Sequence, residues 1–152
     1  MEHEASDLMY LIFVVRPYTQ RLPRAVRKPP KVYFFDNADV LGDEDARFEN
    51  LVATHLLKRL HLLEDREGHR YELRYIRDKE GREVDFAVTK DGQLQELIEA
   101  KLSDTSVAPS LTHYAQKLQP QRAVQIVGAA RHAALRKGSL SVVRAIDEFA
   151  RV

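Results

Sequence analysis

Short apolar or alternating runs recur along the chain, and each of them predicts a β-strand. The runs are five to nine residues long, contain β-branched or aromatic side chains, and are bounded by proline, glycine or charged residues. We therefore predict strands at residues 8–15, 31–35, 71–76, 83–89, 94–102 and 123–127.

A different spacing predicts a long helix at residues 43–63, where apolar side chains recur every three or four positions. Asp43 is suited to cap its first turn, and Lys58 and Arg59 lie toward the end at which positive charge is favoured. This order of elements predicts an α/β fold in which helices flank a mixed β-sheet. Further helices are predicted at 109–118 and 129–138, and a short strand with a helical turn is predicted within 140–152.

The length and composition suit a single globular domain. The chain has 152 residues, of which 44% are apolar and 31% are charged. We expect one domain over 1–152, with a core at 31–128. An N-terminal strand and a basic loop rich in proline and arginine occupy 1–30, and tail elements occupy 129–152.

The absence of cysteine excludes disulfides and thiolate metal sites. The apolar run at 8–15 is too short to span a bilayer, and the acidic residues before it do not fit a secretory signal peptide. We therefore expect a cytoplasmic protein without a membrane segment.

The net charge is only +1, but positive and negative charges are segregated along the chain. Residues 16–31 and 105–146 each contain six Lys or Arg and no acid, whereas residues 36–49 contain six acids and one Arg. Such a distribution is typical of a basic surface around an acidic site, although solvated faces would give the same pattern.

Three of the charged residues in the predicted hairpin formed by 83–89 and 94–102 are candidates for a functional site. Asp85 lies in the first strand, and Glu99 and Lys101 lie on one face of the second. Charges among apolar neighbours are costly unless they are paired or bound to a ligand. Two carboxylates and the Ala100 carbonyl are suitable oxygen ligands for Mg²⁺ or Mn²⁺, with Lys101 orienting water or stabilising developing charge.

This metal-site hypothesis depends on the register of the hairpin. A simple two-residue turn at residues 91–92 would place Asp85 opposite Ile98 and away from Glu99. A three-residue connection at 91–93, or a bulge, would place Asp85 opposite Glu99. We predict that second register.

The segment Glu80-Gly-Arg-Glu-Val-Asp-Phe86, followed by Ile98-Glu-Ala-Lys101, resembles the D…ExK signature of the PD-(D/E)XK nuclease superfamily. More narrowly, the chain resembles the nuclease-like C-terminal domain of prokaryotic AAA-type ATPases of unknown function. Lys31-Val-Tyr-Phe-Phe-Asp36 is similar to the "KxYFxD" strand of that domain, and Arg47-Phe-Glu-Asn-Leu-Val52 is similar to its "FEN-V" helix. The resemblance runs from about residue 11 to residue 127.

The resemblance implies a restriction-endonuclease-like fold and a metal-dependent nuclease that hydrolyses DNA. It also implies a third acid, Glu49, that reaches the metal directly or through water. Asp36 fits a turn or cap better than a ligand, and His55 stands where relatives often have Glu. The chain contains no G-x-x-x-x-G-K-[S/T] motif, which argues against an ATP-driven role of this sequence itself. A second copy of the chain and a separate ATPase are both candidate partners.

The basic segments are expected to hold DNA phosphates. The candidate nucleic-acid-binding residues are Arg21, Arg24, Arg27, Lys28, Lys117 and Arg122. The alternative is a catalytically inactive nuclease-like module that binds DNA or a protein. A third interpretation is a fragment whose apolar first strand packs on another domain or on a second copy of the chain.

Overall fold

The computed structural model describes residues 10–19, 28–130 and 136–151. The helices are α1 (Glu44–Glu67), α2 (Pro109–Leu118) and α3 (Ala145–Phe149). The strands are β1 (Ile12–Pro17), β2 (Lys31–Phe34), β3 (Tyr71–Arg77), β4 (Glu83–Lys90), β5 (Gln93–Lys101), β6 (Arg122–Val127), β7 (Arg136–Lys137) and β8 (Leu140–Arg144).

The described strands form one sheet in the order β2-β1-β3-β4-β5-β6-β8-β7. β3, β4 and β5 are antiparallel neighbours, whereas β5, β6 and β8 run parallel to one another. The predicted α/β fold with a mixed sheet and flanking helices is therefore confirmed.

Helix α1 begins where its sequence predicts, but it ends one turn later than predicted. The Asp43 side chain accepts a hydrogen bond from the N–H of Ala46 (2.9 Å), which caps the first turn. The apolar pattern stops near Leu63, yet polar residues continue the helix to Glu67. Gly68, with φ of 72°, then ends it in the left-handed conformation.

The two faces of the sheet carry separate cores. Helix α1 packs on one face, where Phe48, Leu56 and Leu60 meet β-strand side chains such as Phe86 and Ile98. Helix α2 packs on the other face through a second group of buried residues, Leu111, Tyr114 and Ala115 with Val84, Ala87, Leu97 and Ala123. The central hairpin is consequently covered on both sides, as the apolar residues of β4 and β5 require.

Two predicted elements differ from the structure. Residues 136 and 137 form β7, which pairs antiparallel with β8 across a turn at Gly138 (φ 62°), so a helix over 129–138 is wrong there. Residues 131–135 lie outside the described residues. The first strand begins at Ile12, and residues 8 and 9 of the predicted run also lie outside the described residues.

In the described part of the chain, no helix is long and apolar enough to cross a membrane.

A buried cluster of charges ties α1, α3, β5 and β6 together. Arg122 forms two hydrogen bonds with Glu148 (2.7 and 2.6 Å) and one with Glu96 (3.1 Å). Arg59 reaches the same two carboxylates. Burial alone would raise the pKa of Glu148, but the bonds and charge of Arg122, with Arg59, bring the pKa below its ordinary value of 4.5.

Protonation of Glu148 is expected to destabilise the fold at low pH. A depressed folded-state pKa stabilises the protein above pH 4.5, and this contribution is lost as pH falls through the lower folded value. Glu148→Gln should cost about 3 kcal/mol at pH 7, because it leaves two partly buried guanidinium groups with Glu96 as the carboxylate that they still share.

Urea unfolding at pH 7 and pH 3 tests this expectation. The difference in the free energy of unfolding between wild type and Glu148→Gln should shrink at pH 3. The neighbouring exposed change Asp147→Asn is the control and should cost less than about 1 kcal/mol. An equal deficit for Glu148→Gln at both pH values would contradict the role given to this ion pair.

Candidate metal centre

The carboxylates of Asp85 and Glu99 lie where the β4–β5 hairpin opens into a fork. The last backbone pair of the ladder is Phe86 with Ile98. Beyond it, the N–H of Ala100 donates to Asp85 Oδ2 (2.9 Å), and the N–H of Asp85 donates to Glu99 Oε2 (3.3 Å). Each carboxylate therefore cross-links the two strands through one of its oxygens.

The register that brings these carboxylates together arises from a bulge. The connection at residues 91–92 is a two-residue turn with φ of 49° and 78°, as tight hairpin turns require. An extra residue, Gln95, then shifts the register within β5. The predicted pairing of Asp85 with Glu99 is confirmed by the bulged route, and the alternative three-residue connection is wrong.

A second bulge lies at Asp85 itself. Between two successive β3–β4 pairs, β3 contributes only Tyr75 whereas β4 contributes Asp85 and Phe86. Side-chain alternation breaks here, since Val84 and Ala87 pack in the same core although they are three positions apart. Bulges re-aim side chains and are frequent beside active sites. This one releases Asp85 from the regular pattern of the strand.

The oxygens not used by the backbone each face a lysine. Asp85 Oδ1 lies 3.6 Å from Lys31 Nζ, and Glu99 Oε1 lies 2.9 Å from Lys101 Nζ. Both carboxylic residues are buried, with 9% and 5% of their surface exposed. Each of the two buried acids is therefore paired with one lysine, Asp85 with Lys31 and Glu99 with Lys101.

Lys31 also joins Asp85 to two further acids. Its Nζ lies 3.2 Å from Glu49 Oε1 and forms an ion pair with Glu83. Glu49 accepts a second bond from the hydroxyl of Tyr33 (2.6 Å). Helix α1 and strands β2 and β4 thus contribute to one acidic cluster, in which Glu49 and Asp85 lie near the same ammonium.

The pKa values of the two central acids reflect their crowding. Burial raises the pKa of Asp85 to about 7, and the charges of Glu99 and Glu49 add to the effect. Burial also raises the pKa of Glu99, although Lys101 opposes the shift. Burial alone would lower the pKa of Lys31, but Glu49, Asp85 and Glu83 raise it overall, so this ammonium stays charged.

The donor set fits a divalent cation held by two carboxylates. Among the described residues, no group of three or more acidic or histidine side chains is arranged so that it could hold a metal ion. Mg²⁺ is often held by one or two carboxylates with water completing its shell. Asp85 and Glu99 offer two carboxylates, and the Lys31 ammonium lies 3.6 Å from Asp85 Oδ1, the oxygen that is not bonded to the backbone.

Asn50 holds the strand that carries Lys31 against helix α1. Its side-chain Oδ1 accepts from the N–H of Phe34 (2.8 Å), and its Nδ2 donates to the carbonyl of Phe34 (3.0 Å). The amide therefore satisfies both backbone groups of one residue, as a neighbouring strand would. Asp36, just beyond, accepts from the N–H of Ala38 (2.9 Å) and is the cap residue that we predicted.

Asn50→Ala should lower the free energy of unfolding by about 2–4 kcal/mol, because two part-buried backbone groups lose their partner. Asn37→Ala is the matched control, since Asn37 only accepts one bond from Asn50 (3.2 Å) and should cost about 1 kcal/mol or less. Urea denaturation measures both. Equal costs for the two variants would contradict this anchoring role.

Of the six residues predicted to contact nucleic acid, three belong to the part of the chain that the structure describes. Lys28 is half-buried, and Lys117 is exposed near the end of α2, with its ammonium 5.9 Å from the centre of the Tyr114 ring. Arg122 is paired with Glu96 and Glu148, so its charge is engaged within the fold. The remaining three, Arg21, Arg24 and Arg27, lie outside the described residues.

Two residues of the cluster were missed from sequence. Lys31 and Glu83 lie inside the quoted motifs, but neither was given a role at the site. Lys31 is the first residue of the "KxYFxD" match, which was the available signal. Its proximity to Asp85 depends on contacts across the sheet rather than on spacing along one strand.

A model of the family described as Domain of unknown function (DUF4143) matches residues 44–146, about two thirds of the chain. The matched segment contains Glu49, Asp85, Glu99 and Lys101. This domain occurs in AAA-ATPase-associated proteins. No curated protein and no solved structure matches the chain.

Proposed function

The chain belongs to the DUF4143 family, and we propose that it is a metal-dependent nuclease that hydrolyses DNA phosphodiester bonds. The proposal is carried by the buried pair Asp85 and Glu99, each of which leaves one oxygen facing a cation. Buried like charges raise one another's pKa and favour a bound cation. The D…ExK resemblance supports assigning that cation to phosphodiester hydrolysis.

Bound Mg²⁺ or Mn²⁺ would neutralise charge on the phosphate and lower the pKa of an attacking water. Asp85 and Glu99 would hold it, with the Ala100 carbonyl as a third oxygen. The side chain of Lys101 is 39% exposed beside Glu99, and its ammonium is suited to stabilise negative charge that develops on the phosphate. Glu49 supplies further negative charge next to Asp85.

DNA would be held by the basic segments 16–31 and 117–137, apart from Arg122, which is engaged in the fold. Lys28 and Lys117 belong to the described part of these segments. Contacts of this kind are made to phosphates, so the affinity for DNA should fall steeply with salt.

A nicking assay tests the proposal. Supercoiled plasmid is incubated with the protein in Mg²⁺, in Mn²⁺ and in EDTA, and the open-circular and linear products are quantified. Cutting in either metal that EDTA abolishes supports the proposal. If Lys101→Met cuts as fast as wild type, the activity does not belong to this site.

One observation favours a second candidate, a nuclease-like module that binds without cutting. The free oxygens of both acids are already neutralised by Lys31 and Lys101. The family's occurrence in AAA-ATPase-associated proteins agrees with a binding role beside an ATPase on a separate chain. DNA binding that persists in EDTA, without cutting in either metal, would favour this module.

A further inference from the structure

We infer that Lys31 is an internal cation that a divalent metal must displace, and that it sets a low metal affinity in the wild-type protein. The inference deepens the proposed function, on which it rests, because it names the group that competes for the same carboxylates. No motif or family match assigns this role to Lys31.

The contacts of Lys31 are those of a bound cation. Its Nζ lies within ion-pairing distance of Glu49, Glu83 and Asp85, which come from α1 and from two positions of β4. On Asp85 it faces Oδ1, the oxygen that is left free because Oδ2 is bonded to the N–H of Ala100. That free oxygen is the one with which Asp85 would bind a metal.

Lys101 does not make the same set of contacts. Among the described residues it forms an ion pair with Glu99 only, and 39% of its side chain is exposed, compared with 19% for Lys31. A phosphate approaching from solvent can therefore meet Lys101. Lys31 is more enclosed, with its Nζ 5.4 Å from the centre of the Tyr75 ring. Lys101 is thus suited to contact a phosphate, and Lys31 is suited to pair with the acids of the cluster.

The charge balance explains why the metal and Lys31 would exclude one another. A divalent ion on Asp85 Oδ1 would lie within a few ångströms of the ammonium, and like charges at that distance repel strongly where burial limits screening. The Lys31 side chain has room to move away from Asp85, because it is flexible and lines an open cavity of about 350 Å³ together with Tyr33, Glu49 and Asn50.

The same contact would stabilise the metal-free protein. Asp85 and Glu99 are buried side by side, and without the Lys31 ammonium the charge of Asp85 would face those of Glu99 and Glu49. Lys101 would still pair with Glu99 but not with Asp85 Oδ1. Removing the charge of Lys31 should therefore lower the free energy of unfolding of the metal-free protein and raise its affinity for metal. A lysine with a purely structural role would produce the first effect without the second.

Mn²⁺ binding measured by the loss of the free-ion EPR signal tests the inference without any cleavage assay. Lys31→Met should bind Mn²⁺ about 10- to 100-fold more tightly than wild type, since an adjacent charge shifts a carboxylate's proton affinity by a similar factor. Lys31→Arg keeps the charge and should stay near wild type. Lys58→Met, an exposed change on α1, is the control for net charge.

Tighter binding by Lys31→Met alone, lost again when Asp85→Asn is added, supports the inference. Affinity equal to or below that of wild type overturns it. If Lys31→Met unfolds at the assay temperature, Lys31→Gln is titrated instead, with the same two outcomes. Absence of Mn²⁺ binding by every variant would overturn both the inference and the metal site.

The cleavage assay separates failure of the inference from failure of the proposed function. Metal-dependent cutting by wild type, with no gain in affinity in Lys31→Met, removes the inference and leaves the nuclease. If Lys31→Met binds Mn²⁺ more tightly but neither protein cuts DNA, the nuclease proposal fails and the role of Lys31 as a competing cation stands.

Discussion

Asp85→Asn is expected to cut plasmid DNA at least about 10³-fold more slowly than wild type, because a metal ligand contributes several kcal/mol to the transition state. The asparagine keeps a carbonyl oxygen that can accept the bond from the N–H of Ala100. The hydrogen bond that links β4 to β5 at this position should therefore be kept. What the variant loses is the negative charge that faces Lys31 and, in the proposed function, the metal.

The same variant is expected to be more stable than wild type in EDTA. Burial and the charges of Glu99 and Glu49 raise the pKa of Asp85 above its unfolded value of 3.8, to about 7. An acid with a raised folded-state pKa destabilises the fold above that value, and the penalty is relieved as pH falls toward 3.8. Replacing it by a neutral amide should raise the free energy of unfolding at pH 8 by about 1–3 kcal/mol.

Plasmid cleavage in Mn²⁺ and urea unfolding in EDTA measure the two effects. Asp65→Asn, the same chemical change at an exposed position of α1, should match wild type in both. A lower free energy of unfolding for Asp85→Asn than for wild type at pH 8 would mean that the Asp85 carboxylate stabilises the fold instead of destabilising it. Undiminished cutting would remove Asp85 from the active site.

The second large effect is expected at Gln125, which is completely buried opposite Glu99 on β6. Its Oε1 accepts from the N–H of Ala108 (2.9 Å), and its Nε2 donates to the carbonyls of Asp104 (3.0 Å) and Ser106 (2.7 Å). One side chain thus holds the segment that leads from the site strand to helix α2.

Gln125→Leu is nearly the same size but can replace none of these bonds. Three backbone groups would lose their partner, and we expect the free energy of unfolding to fall by about 3–5 kcal/mol. Cutting should fall as well, because residues 102–108 follow Lys101 directly.

Urea unfolding measures the effect, with Gln121→Leu as the control at an exposed position in the same part of the chain. The control should change stability by no more than about 0.5 kcal/mol. A cost for Gln125→Leu below about 1 kcal/mol would show that the 102–108 segment is held by other contacts.

Much of this fold follows from local sequence pattern. Helix α1 was predictable because Asp43 caps it, Gly68 ends it and one face is apolar. The strands β4 and β5 were predictable because each contains a short group of apolar residues and because Asp91 and Gly92 mark the turn between them. The end of α1 was placed too early, because polar residues extend a helix wherever nothing ends it.

Turn and bulge geometry was harder to predict than strand position. The pairing of Asp85 with Glu99 was correct, yet the residue that produces it is Gln95, three positions beyond the turn. No local signal marks Gln95 as the bulged residue. The strand at 136–137 was also missed, because two residues carry no periodicity and their pairing depends on Gly138.

The acidic cluster shows where sequence reasoning stops. Glu99 and Lys101 share a strand, so their proximity follows from a period of two. Lys31 reaches Asp85 only because distant segments assemble into one sheet, and Gln125 reaches 104–108 for the same reason. Contacts that cross the sheet in this way are invisible to spacing along the chain.

The most direct test of the account is a crystal of the protein soaked in Mn²⁺, with the anomalous difference density located relative to the hairpin fork. We expect one strong peak within coordination distance of Asp85 and Glu99, with the Lys31 ammonium moved away from Asp85 Oδ1. Density at other surface carboxylates, with Lys31 still seated between Glu49, Glu83 and Asp85, would contradict it.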